Sequence, residues 1–389
     1  MTDTPRLSVL VTTYNKEREL ELVLEGYRHQ TFRDFELIVA DDGSGEATRR
    51  VIEQARERAE HEIVHSWQED DGFRAARSRN LAIAKARGEL VVMTDGDCIP
   101  MPDFLETVNR TWKPKRYLAG ERLLLEQEEA AAITRERLIS GEVFANPPAS
   151  ELARIRKIRR KNKVYRALRL KVRPKVMTCN FVASKADLEA VNGFDERYVG
   201  WGHEDTDLGR RLRQVGVTSA DALSEALVLH LWHKTESSFA GRVRDCPNAA
   251  YFDRGFVLSC CRRGLVERSW QDLKRRLLTP AKHREVAAEL GSEAEESPEV
   301  AILLVGPGET AGERFPRAAE VKALVLAKGA TASKSLRSEA HLVLEHDPEA
   351  EDPAAAGVAG DGPVRRGVRL KEIDAEGVAR VQSALDAMI

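Results

Sequence analysis

The sequence lacks both a recognisable cysteine framework and a long apolar run. Its five cysteines are an odd number without CxxC spacing, so we expect reduced thiols. No apolar run approaches the roughly 18 residues that a membrane-spanning helix needs. The first residues also lack the charged-then-apolar pattern of a signal peptide. We therefore expect a cytoplasmic protein, with peripheral contact at the inner face of the membrane left open.

The chain also lacks a strong net charge, but its charge is unevenly distributed. The formal charge of the 389 residues is −2, and residues 291–389 carry −7, which leaves +5 for residues 1–290. The basic part also holds every candidate site residue named below. That distribution suits an anionic ligand.

Short apolar strands alternate with amphipathic helices over the first hundred residues. Strands are expected at 7–12, 36–40, 63–67 and 90–94, with helices at 17–29, 48–58 and 75–86 and another opening at Pro102. Such alternation predicts an α/β fold, with a mostly parallel central sheet flanked by helices.

The rest of the chain predicts further elements and two more segments. We expect strands at 117–125, 176–183 and 226–231, and helices at 126–175, 204–214 and 236–290. An acidic linker at 293–299 precedes three short strands at 300–305, 321–326 and 341–344. The predicted domains are therefore 1–235, a helical basic extension at 236–292, and a small α/β domain of unknown role at 293–389.

Three polar clusters follow predicted strands, at 12–15, 41–44 and 95–97. In open parallel sheets, ligands bind beyond the carboxyl ends of the strands. The shared placement of these clusters therefore predicts one site at that edge of the sheet.

Asp95-Gly96-Asp97 is the centre of the predicted site. Carboxylates at this spacing hold Mn²⁺ or Mg²⁺ against phosphate oxygens. A polar turn is the alternative, and Asp205-Thr206-Asp207 has the same spacing, but the position after a buried strand favours a metal site. Either His230 or His233, which follow a late strand, could supply another ligand, and we prefer His230.

A second cluster runs from Gly200 to Asp205. Its two glycines allow close backbone approach, and Trp201 between them offers a flat face for a sugar ring. Glu204 or Asp205 could act as a general base. A helix cap would explain these acids by the helix dipole, but it would not explain Trp201 between two glycines.

Basic residues form two further features. Arg74, Arg77 and Arg79 flank a helix start and are either ligands of diphosphate oxygens or solvated side chains. Residues 154–175 contain twelve Lys or Arg, with apolar residues interleaved. This segment could contact anionic lipid or an anionic glycan, or it could be a solvated basic helix. We expect no nucleic-acid partner.

Together these motifs resemble family-2 glycosyltransferases of the GT-A fold. The matching segments, in order, are SVLVTTYN at 8–15, QTF at 30–32, VADDGS at 39–44, ARSRN at 76–80 and DGD at 95–97. GWGHEDTDL at 200–208 resembles the W-G-G-E-D motif of β-1,4-galactosyltransferases, polypeptide N-acetylgalactosaminyltransferases and bacterial chondroitin-polymerase modules. The resemblance covers about residues 6–235, which would form the catalytic domain.

The resemblance implies a role for each matching residue. The residues that would bind a UDP-sugar donor are Thr12, Tyr14, Asp42, Asp95, Trp201 and Gly202, joined by Arg74, Arg77 and Arg79. Asp97 would be the main metal ligand, and His230 lies where such enzymes place a metal-binding histidine. Asp205 would be the catalytic base, and Glu204 would contact the donor or acceptor sugar.

The implied activity is metal-dependent, inverting transfer of a hexose or N-acetylhexosamine to a hydroxyl of a glycan or glycolipid, as in polysaccharide biosynthesis. His203 departs from the family, which usually has glycine there. A nucleotidyltransferase is an alternative, but the loop after the first strand lacks the glycines it would need. A catalytically dead glycan- or nucleotide-binding module is the other alternative, and the presence of Asp97 and Asp205 argues against it.

Overall fold

The computed structural model describes residues 4–168, 176–221, 225–234, 246–252, 260–261 and 263–267, and seven short strands farther along the chain. By internal contacts the chain divides into two compact units. One is Met1–Ala249 with Arg263–Leu265, and the other is Ala250–Arg262 with Val266–Ile389.

The first unit contains ten strands and ten α-helices among its described residues. The strands are β1 (Leu7–Thr13), β2 (Phe35–Asp41), β3 (Ile63–Trp67), β4 (Leu90–Asp95), β5 (Cys98–Pro100), β6 (Arg116–Ala119), β7 (Glu121–Leu124), β8 (Phe181–Ser184), β9 (Thr218–Asp221) and β10 (Leu227–His230). The helices are α1 (Glu17–Arg28), α2 (Glu46–Arg58), α3 (Ala75–Lys85), α4 (Phe104–Thr111), α5 (Gln127–Ala131), α6 (Arg135–Ile139), α7 (Glu142–Ala145), α8 (Ala149–Ala167), α9 (Lys185–Ala190) and α10 (Glu204–Gln214). A short helix, α11 (Ala249–Phe252), follows in sequence.

Seven of these strands form one central sheet in the order β3-β2-β1-β4-β8-β6-β9. β1 lies between β2 and β4 and runs parallel to both, with Leu7 opposite Phe35 on one side and Leu90 on the other. Only β8 runs against its neighbours β4 and β6. The predicted α/β fold with a mostly parallel, helix-flanked sheet is confirmed.

The central sheet is buried on both faces because its strands are apolar along their length. Alternation along β1 sends Val9 and Val11 into one apolar core and Leu10 into the other. Leu20 and Val23 of α1 close the first core, since helical spacing puts them on one face. Burial of each such side chain stabilises the folded state by about 1.5–3 kcal/mol relative to leaving it exposed.

A second, three-stranded sheet has the order β5-β10-β7. β10 pairs antiparallel with β5 and parallel with β7, which places His230 opposite both Cys98 and Leu124. This pairing places the end of β10 next to the residues that follow β4.

The structure corrects three predicted elements of the first unit. The expected strand at 117–125 is two strands, β6 and β7, in different sheets. They separate at Gly120, where a Cβ would lie 2.2 Å from the Asn180 side chain. The expected strand at 176–183 opens with a 3₁₀ turn at Thr178–Asn180. The expected helix at 126–175 is four helices, and its residues 169–175 lie outside the described residues.

The second unit contains a five-stranded parallel sheet in the order β11-β12-β14-β16-β17 and a two-stranded one, β13-β15. These strands are β11 (Leu277–Leu278), β12 (Ile302–Val305), β13 (Thr310–Ala311), β14 (Ala323–Leu326), β15 (Thr331–Ala332), β16 (Leu342–His346) and β17 (Arg366–Leu370). β12, β14 and β16 lie where three strands were expected.

β11 falls inside the segment 236–290, so the expectation of helix there is wrong at that point. The linker at 293–299 lies outside the described residues. Among the described residues, none of the helices is long and apolar enough to cross a membrane.

Candidate active site

Three strand ends meet at one edge of the central sheet. The backbone N–H of Gly96 donates to the carbonyl of Thr12 at 2.7 Å, and that of Asp42 donates to the carbonyl of Thr13 at 3.0 Å. The ends of β4 and β2 are therefore both tied to the end of β1. The three polar clusters predicted to share a site do lie together.

The Asp97 carboxylate is buried among cationic and imidazole groups. Its Oδ2 lies 2.8 Å from Lys16 Nζ and 3.2 Å from His233 Nε2, and its Oδ1 lies 3.6 Å from His230 Nε2. Burial acts to raise the pKa of Asp97, but the charge of Lys16 and the hydrogen bond from its ammonium outweigh burial and lower the pKa overall. Asp97 is therefore held ionised.

Strand pairing delivers His230 to this carboxylate. The antiparallel register of β10 with β5 sets His230 opposite Cys98, the residue after Asp97. One residue on, the Leu231 N–H donates to the Asp97 carbonyl at 2.9 Å. Both histidines lie near Asp97, with ring centroids 5.2 Å apart, so the preference for His230 over His233 stays a prediction.

The donor atoms near Asp97 fit a divalent metal ion. Ligand atoms of Asp97, Cys98 and His230 all lie within 4.8 Å of one another. Burial lowers the pKa of His230 to about 4, although Asp97 opposes the shift, so its imidazole is neutral at pH 7, the form that binds metals. Burial raises the pKa of the Cys98 thiol, which therefore stays protonated. A carboxylate oxygen is a usual ligand of Mn²⁺ and Mg²⁺, and a neutral imidazole nitrogen binds divalent transition-metal ions.

Arg79 joins the two predicted motifs. Its guanidinium lies 3.4 Å from Asp95 and 3.1 Å from Glu204, and its Nε donates to the Thr12 hydroxyl at 3.1 Å. The side chain is only 6% exposed, and its guanidinium also lies over the Phe194 ring. Since all three nitrogens already have protein partners, Arg79 fixes the acids in place. The assignment of Arg79 as a ligand of the diphosphate stays a prediction.

The loop from Gly200 to His203 has an unusual backbone that one amide side chain stabilises. Gly200, Gly202 and His203 have φ angles of 79°, 106° and 74°. The Asn248 side chain donates to the carbonyls of Gly200, Trp201 and Gly202 at 3.2, 3.4 and 2.9 Å. A Cβ on Gly202 would lie 3.0 Å from Cys246 Sγ. The left-handed φ of His203 explains why glycine is usual there.

Asp205 and Glu204 open helix α10 directly after this loop. Glu204 is held by Arg79, whereas the Oδ1 of half-buried Asp205 accepts a hydrogen bond from the Thr206 hydroxyl at 3.0 Å. Trp201 is half-buried in the loop itself. The two acids thus have different contacts in the described part of the chain, since Glu204 pairs with the buried Arg79 and Asp205 accepts a hydrogen bond from its neighbour Thr206.

Asp42 and Tyr14 line the other side of the strand ends. Asp42 accepts a hydrogen bond from the Arg74 backbone N–H at 2.7 Å and another from the Gln68 amide. Burial raises the pKa of Asp42, and the bond from Arg74 opposes the shift. The Tyr14 hydroxyl donates to Asp70 at 3.0 Å while its ring stays 46% exposed, which leaves a face available for a planar ligand.

The arginines predicted to bind the donor have different surroundings. Arg74 is mostly buried and pairs with Asp71 at 3.0 Å. Arg77 is exposed on α3 and is not among the groups that contact the acids described above. The structure therefore brings Arg74 and Arg79 to the site and leaves Arg77 on the surface of its helix.

Sequence reasoning missed four residues that shape this site: Lys16, Gln68, Asp70 and Asn248. Lys16 directly follows the TTYN segment, so its position was a usable signal. Asn248 lies beyond the predicted domain end at 235, and no pattern in the sequence linked it to the loop at 200–203.

The first unit is similar in sequence to two known protein families. Residues 8–179 match the family described as Glycosyl transferase family 2, and residues 164–232 match the N-terminal domain of galactosyltransferase. This chain is thus similar to glycosyltransferase family 2 over the segment that contains Asp42, Asp95 and Asp97. The two matches overlap within the first unit. Together they include every site residue that was predicted from the sequence except His233.

Two curated relatives illustrate the similarity of this chain to known proteins. Validoxylamine A glucosyltransferase of Streptomyces hygroscopicus subsp. limoneus is 28% identical over 232 residues, which cover 55% of this chain and 49% of that protein. Chondroitin synthase of Pasteurella multocida is 29% identical over 220 residues, which cover 53% of this chain and 23% of that protein. The matched part of this chain thus spans half or less of the length of these two relatives.

Solved structures also resemble this chain. The mannosyltransferase PcManGT from Pyrobaculum calidifontis, in complex with GDP-Man and Mn²⁺, has a TM-score of 0.41 and 20% identity, covering 60% of this chain and 59% of that one. S. aureus TarS 1–349 in complex with UDP has a TM-score of 0.40 and 18% identity, covering 58% of this chain and 60% of that one.

Proposed function

We propose that this glycosyltransferase transfers a hexose or N-acetylhexosamine from a UDP-sugar to a hydroxyl of a glycan or glycolipid, with inversion and with Mn²⁺ or Mg²⁺ as cofactor. One observation supports it most. Buried Asp97 has two imidazoles within 3.6 Å, at a sheet edge where Arg79 also joins Asp95 to Glu204, the residue before Asp205.

Asp97 and His230 would hold the divalent ion, with His233 as the alternative to His230. When bound, the ion supplies positive charge that stabilises the leaving nucleoside diphosphate. Lys16 Nζ, 2.8 Å from Asp97, adds a fixed positive charge on the same side of the site. This cationic surrounding favours an anionic leaving group.

Asp205 is the proposed base. The acceptor oxygen forms a bond to the anomeric carbon while the bond from that carbon to the phosphate oxygen breaks. The leaving diphosphate takes the bonding electron pair, and Asp205 takes the proton of the acceptor hydroxyl. A single displacement inverts the anomeric centre. Glu204 is less suited to the proton transfer because its carboxylate is committed to Arg79 at 3.1 Å.

The nucleoside would bind on the side of Asp42, Tyr14 and Thr12. The exposed Tyr14 ring can stack on a base, and the Asp42 carboxylate can accept hydrogen bonds from ribose or uracil. Arg74 would approach the diphosphate. Trp201 and Gly202 would contact the sugar, since the loop brings its backbone and one aromatic face next to α10.

A donor screen tests the proposal. The full chain is incubated with UDP-, GDP- and dTDP-sugars in Mn²⁺, Mg²⁺ or EDTA, and nucleotide release is measured for wild type, Asp97→Ala and the exposed control Asp103→Ala. We expect release from a UDP-sugar that EDTA and Asp97→Ala abolish and Asp103→Ala leaves unchanged. Once an acceptor is found, proton NMR of the new linkage reads its anomeric configuration.

Three results would overturn parts of the proposal. Release that persists in EDTA and in Asp97→Ala would remove the metal role. Release from a GDP- or dTDP-sugar alone would replace the UDP donor. If no donor is cleaved, calorimetry with UDP decides: absence of Mn²⁺-dependent UDP binding would exclude the proposed chemistry.

A further inference from the structure

Helix α8 is fixed to the first unit through one face. Ile155 is 1% exposed in the apolar core, and Leu152 packs against the same core. Arg154 pairs with Glu151 and Glu121 at 3.0 and 3.1 Å. These contacts set which side of α8 faces solvent.

The opposite face of α8 is basic and exposed. At 100° per residue, Lys157, Arg160 and Lys161 lie away from Ile155. Within the described part of the chain, no acidic side chain pairs with any of these three. The sequence supplies none nearby either, because no Asp or Glu occurs between Glu151 and Asp187.

Large apolar side chains stand on the same exposed face. Val164 and Leu168 are 53% and 64% exposed, and they lie one helical turn apart. Tyr165 next to them is 37% exposed and stacks under the Lys161 ammonium, 5.3 Å from its ring centroid. We call Lys157, Arg160, Lys161, Val164, Tyr165 and Leu168 the α8 face.

Two properties of the α8 face together select a ligand. Unpaired Lys and Arg attract phosphate headgroups, and the attraction falls off with salt. Exposed Val and Leu side chains contribute favourable binding free energy only where they can be buried in an apolar phase. A Tyr side chain favours the boundary of such a phase. A soluble polyanion offers the charge without the apolar phase, whereas an anionic bilayer offers both.

We propose that the α8 face docks this glycosyltransferase onto the surface of a membrane that contains anionic phospholipid. The helix lies on the surface and does not cross it. The proposal does not depend on the donor, the metal or the base proposed above, because none of those residues belongs to α8.

The test is binding of the full chain to vesicles of phosphatidylcholine alone or with about 30% phosphatidylglycerol, measured by co-sedimentation. The charge variant is Lys157→Glu/Arg160→Glu, and the apolar variant is Val164→Ser/Leu168→Ser. The matched control, Arg50→Glu/Lys113→Glu, changes the same charge at exposed positions elsewhere. Thermal unfolding checks that every variant is folded.

We expect the wild type and the control to co-sediment with the anionic vesicles and not with the neutral ones. The charge variant should bind at least about tenfold more weakly. The apolar variant should lose the part of the binding that survives about 0.5 M salt, where the Debye length is only a few ångströms.

Equal binding to both vesicle types would overturn the proposal, as would a charge variant that binds like wild type. An apolar variant indistinguishable from wild type at every salt concentration would also overturn it, since the face would then bind polyanions in general. Heparin provides the corresponding soluble probe for that outcome.

Discussion

Lys16 Nζ lies 2.8 Å from Oδ2 of Asp97, the same oxygen that His233 Nε2 approaches to 3.2 Å. One carboxylate oxygen therefore serves both a fixed ammonium group and a candidate metal ligand. A divalent ion that Asp97 binds through Oδ2 has to share this oxygen with Lys16 or displace the Lys16 ammonium, whereas an ion bound through Oδ1 lies on the side of His230.

Replacing Lys16 with Met should strengthen Mn²⁺ binding to the nucleotide-free protein by about three- to tenfold, because a competing positive charge is removed. Lys16→Arg keeps the charge and should change affinity much less. Calorimetry or the EPR signal of free Mn²⁺ gives both dissociation constants. Weaker Mn²⁺ binding in Lys16→Met would contradict this competition.

Asp205→Asn and Glu204→Gln should affect catalysis differently. Loss of the base should lower kcat by about 10²–10⁴-fold while the donor KM changes little. Glu204→Gln removes the partner of Arg79, so it should mainly raise the donor KM by loosening Asp95 and Thr12. Steady-state kinetics with varied donor separates these effects. A larger kcat loss in Glu204→Gln would transfer the base assignment to Glu204.

Gly43→Ala should damage the nucleoside side of the site. Gly43 has φ +100°, and a Cβ there would lie 2.5 Å from the Asp70 Cα. Asp70, which accepts the hydrogen bond from Tyr14, would therefore have to move. We expect about 1–3 kcal/mol lower stability and about tenfold weaker UDP binding.

Gly45→Ala is the matched control for Gly43→Ala, two residues away. Gly45 has φ −80°, and the nearest atom to its Cβ is Asn15 Oδ1 at 4.0 Å. Its effect on stability should stay within about 0.5 kcal/mol. Chemical denaturation and UDP calorimetry measure both variants. Equal effects of the two substitutions would mean that the contact with Asp70 is unimportant.

His61 should make the protein less stable in mild acid. Burial, aided by repulsion from Arg33, lowers the pKa of His61 from 6.5 to about 4, and its Nε2 is buried without a hydrogen-bond partner. In the unfolded chain His61 therefore becomes protonated near pH 6.5, whereas in the folded chain it becomes protonated only near pH 4. The free energy of unfolding therefore has its full value above pH 6.5 and falls as the pH drops towards 4.

His61→Leu removes this proton uptake. Between pH 7.5 and 5, wild type should lose about 2 kcal/mol more unfolding free energy than the variant. Urea denaturation at the two pH values measures the difference. Parallel losses in both proteins would show that His61 does not carry the pH dependence.

The strand–helix alternation was readable from the sequence because buried parallel strands are apolar throughout and their helices are amphipathic. Helix α10 was predicted with its observed bounds, 204–214. The break at Gly120 was not, because it depends on Asn180, a distant residue that fills the space beside the glycine and holds the backbone of Glu121 at 2.8 Å.

The candidate site divides in the same way. Thr12, Asp42 and Asp95 end neighbouring strands, so a parallel sheet alone brings them together. The pairing of Arg79 with Glu204 joins residues 125 positions apart. No local pattern assigns that partner, so from the sequence Arg79 was either a ligand of the diphosphate or a solvated side chain.

By itself, the sequence determined the resemblance to a known family, the central sheet and the strand-end clusters, because these follow from local hydrophobic patterns and short motifs. Only the tertiary structure decided which charges meet. Lys16, His230 and His233 reach Asp97 through β1, β4 and the β5–β10 pairing, and Asn248 reaches the loop at 200–203 from beyond the predicted domain end. Such long-range contacts depend on how the elements pack in space, which local residue patterns do not specify.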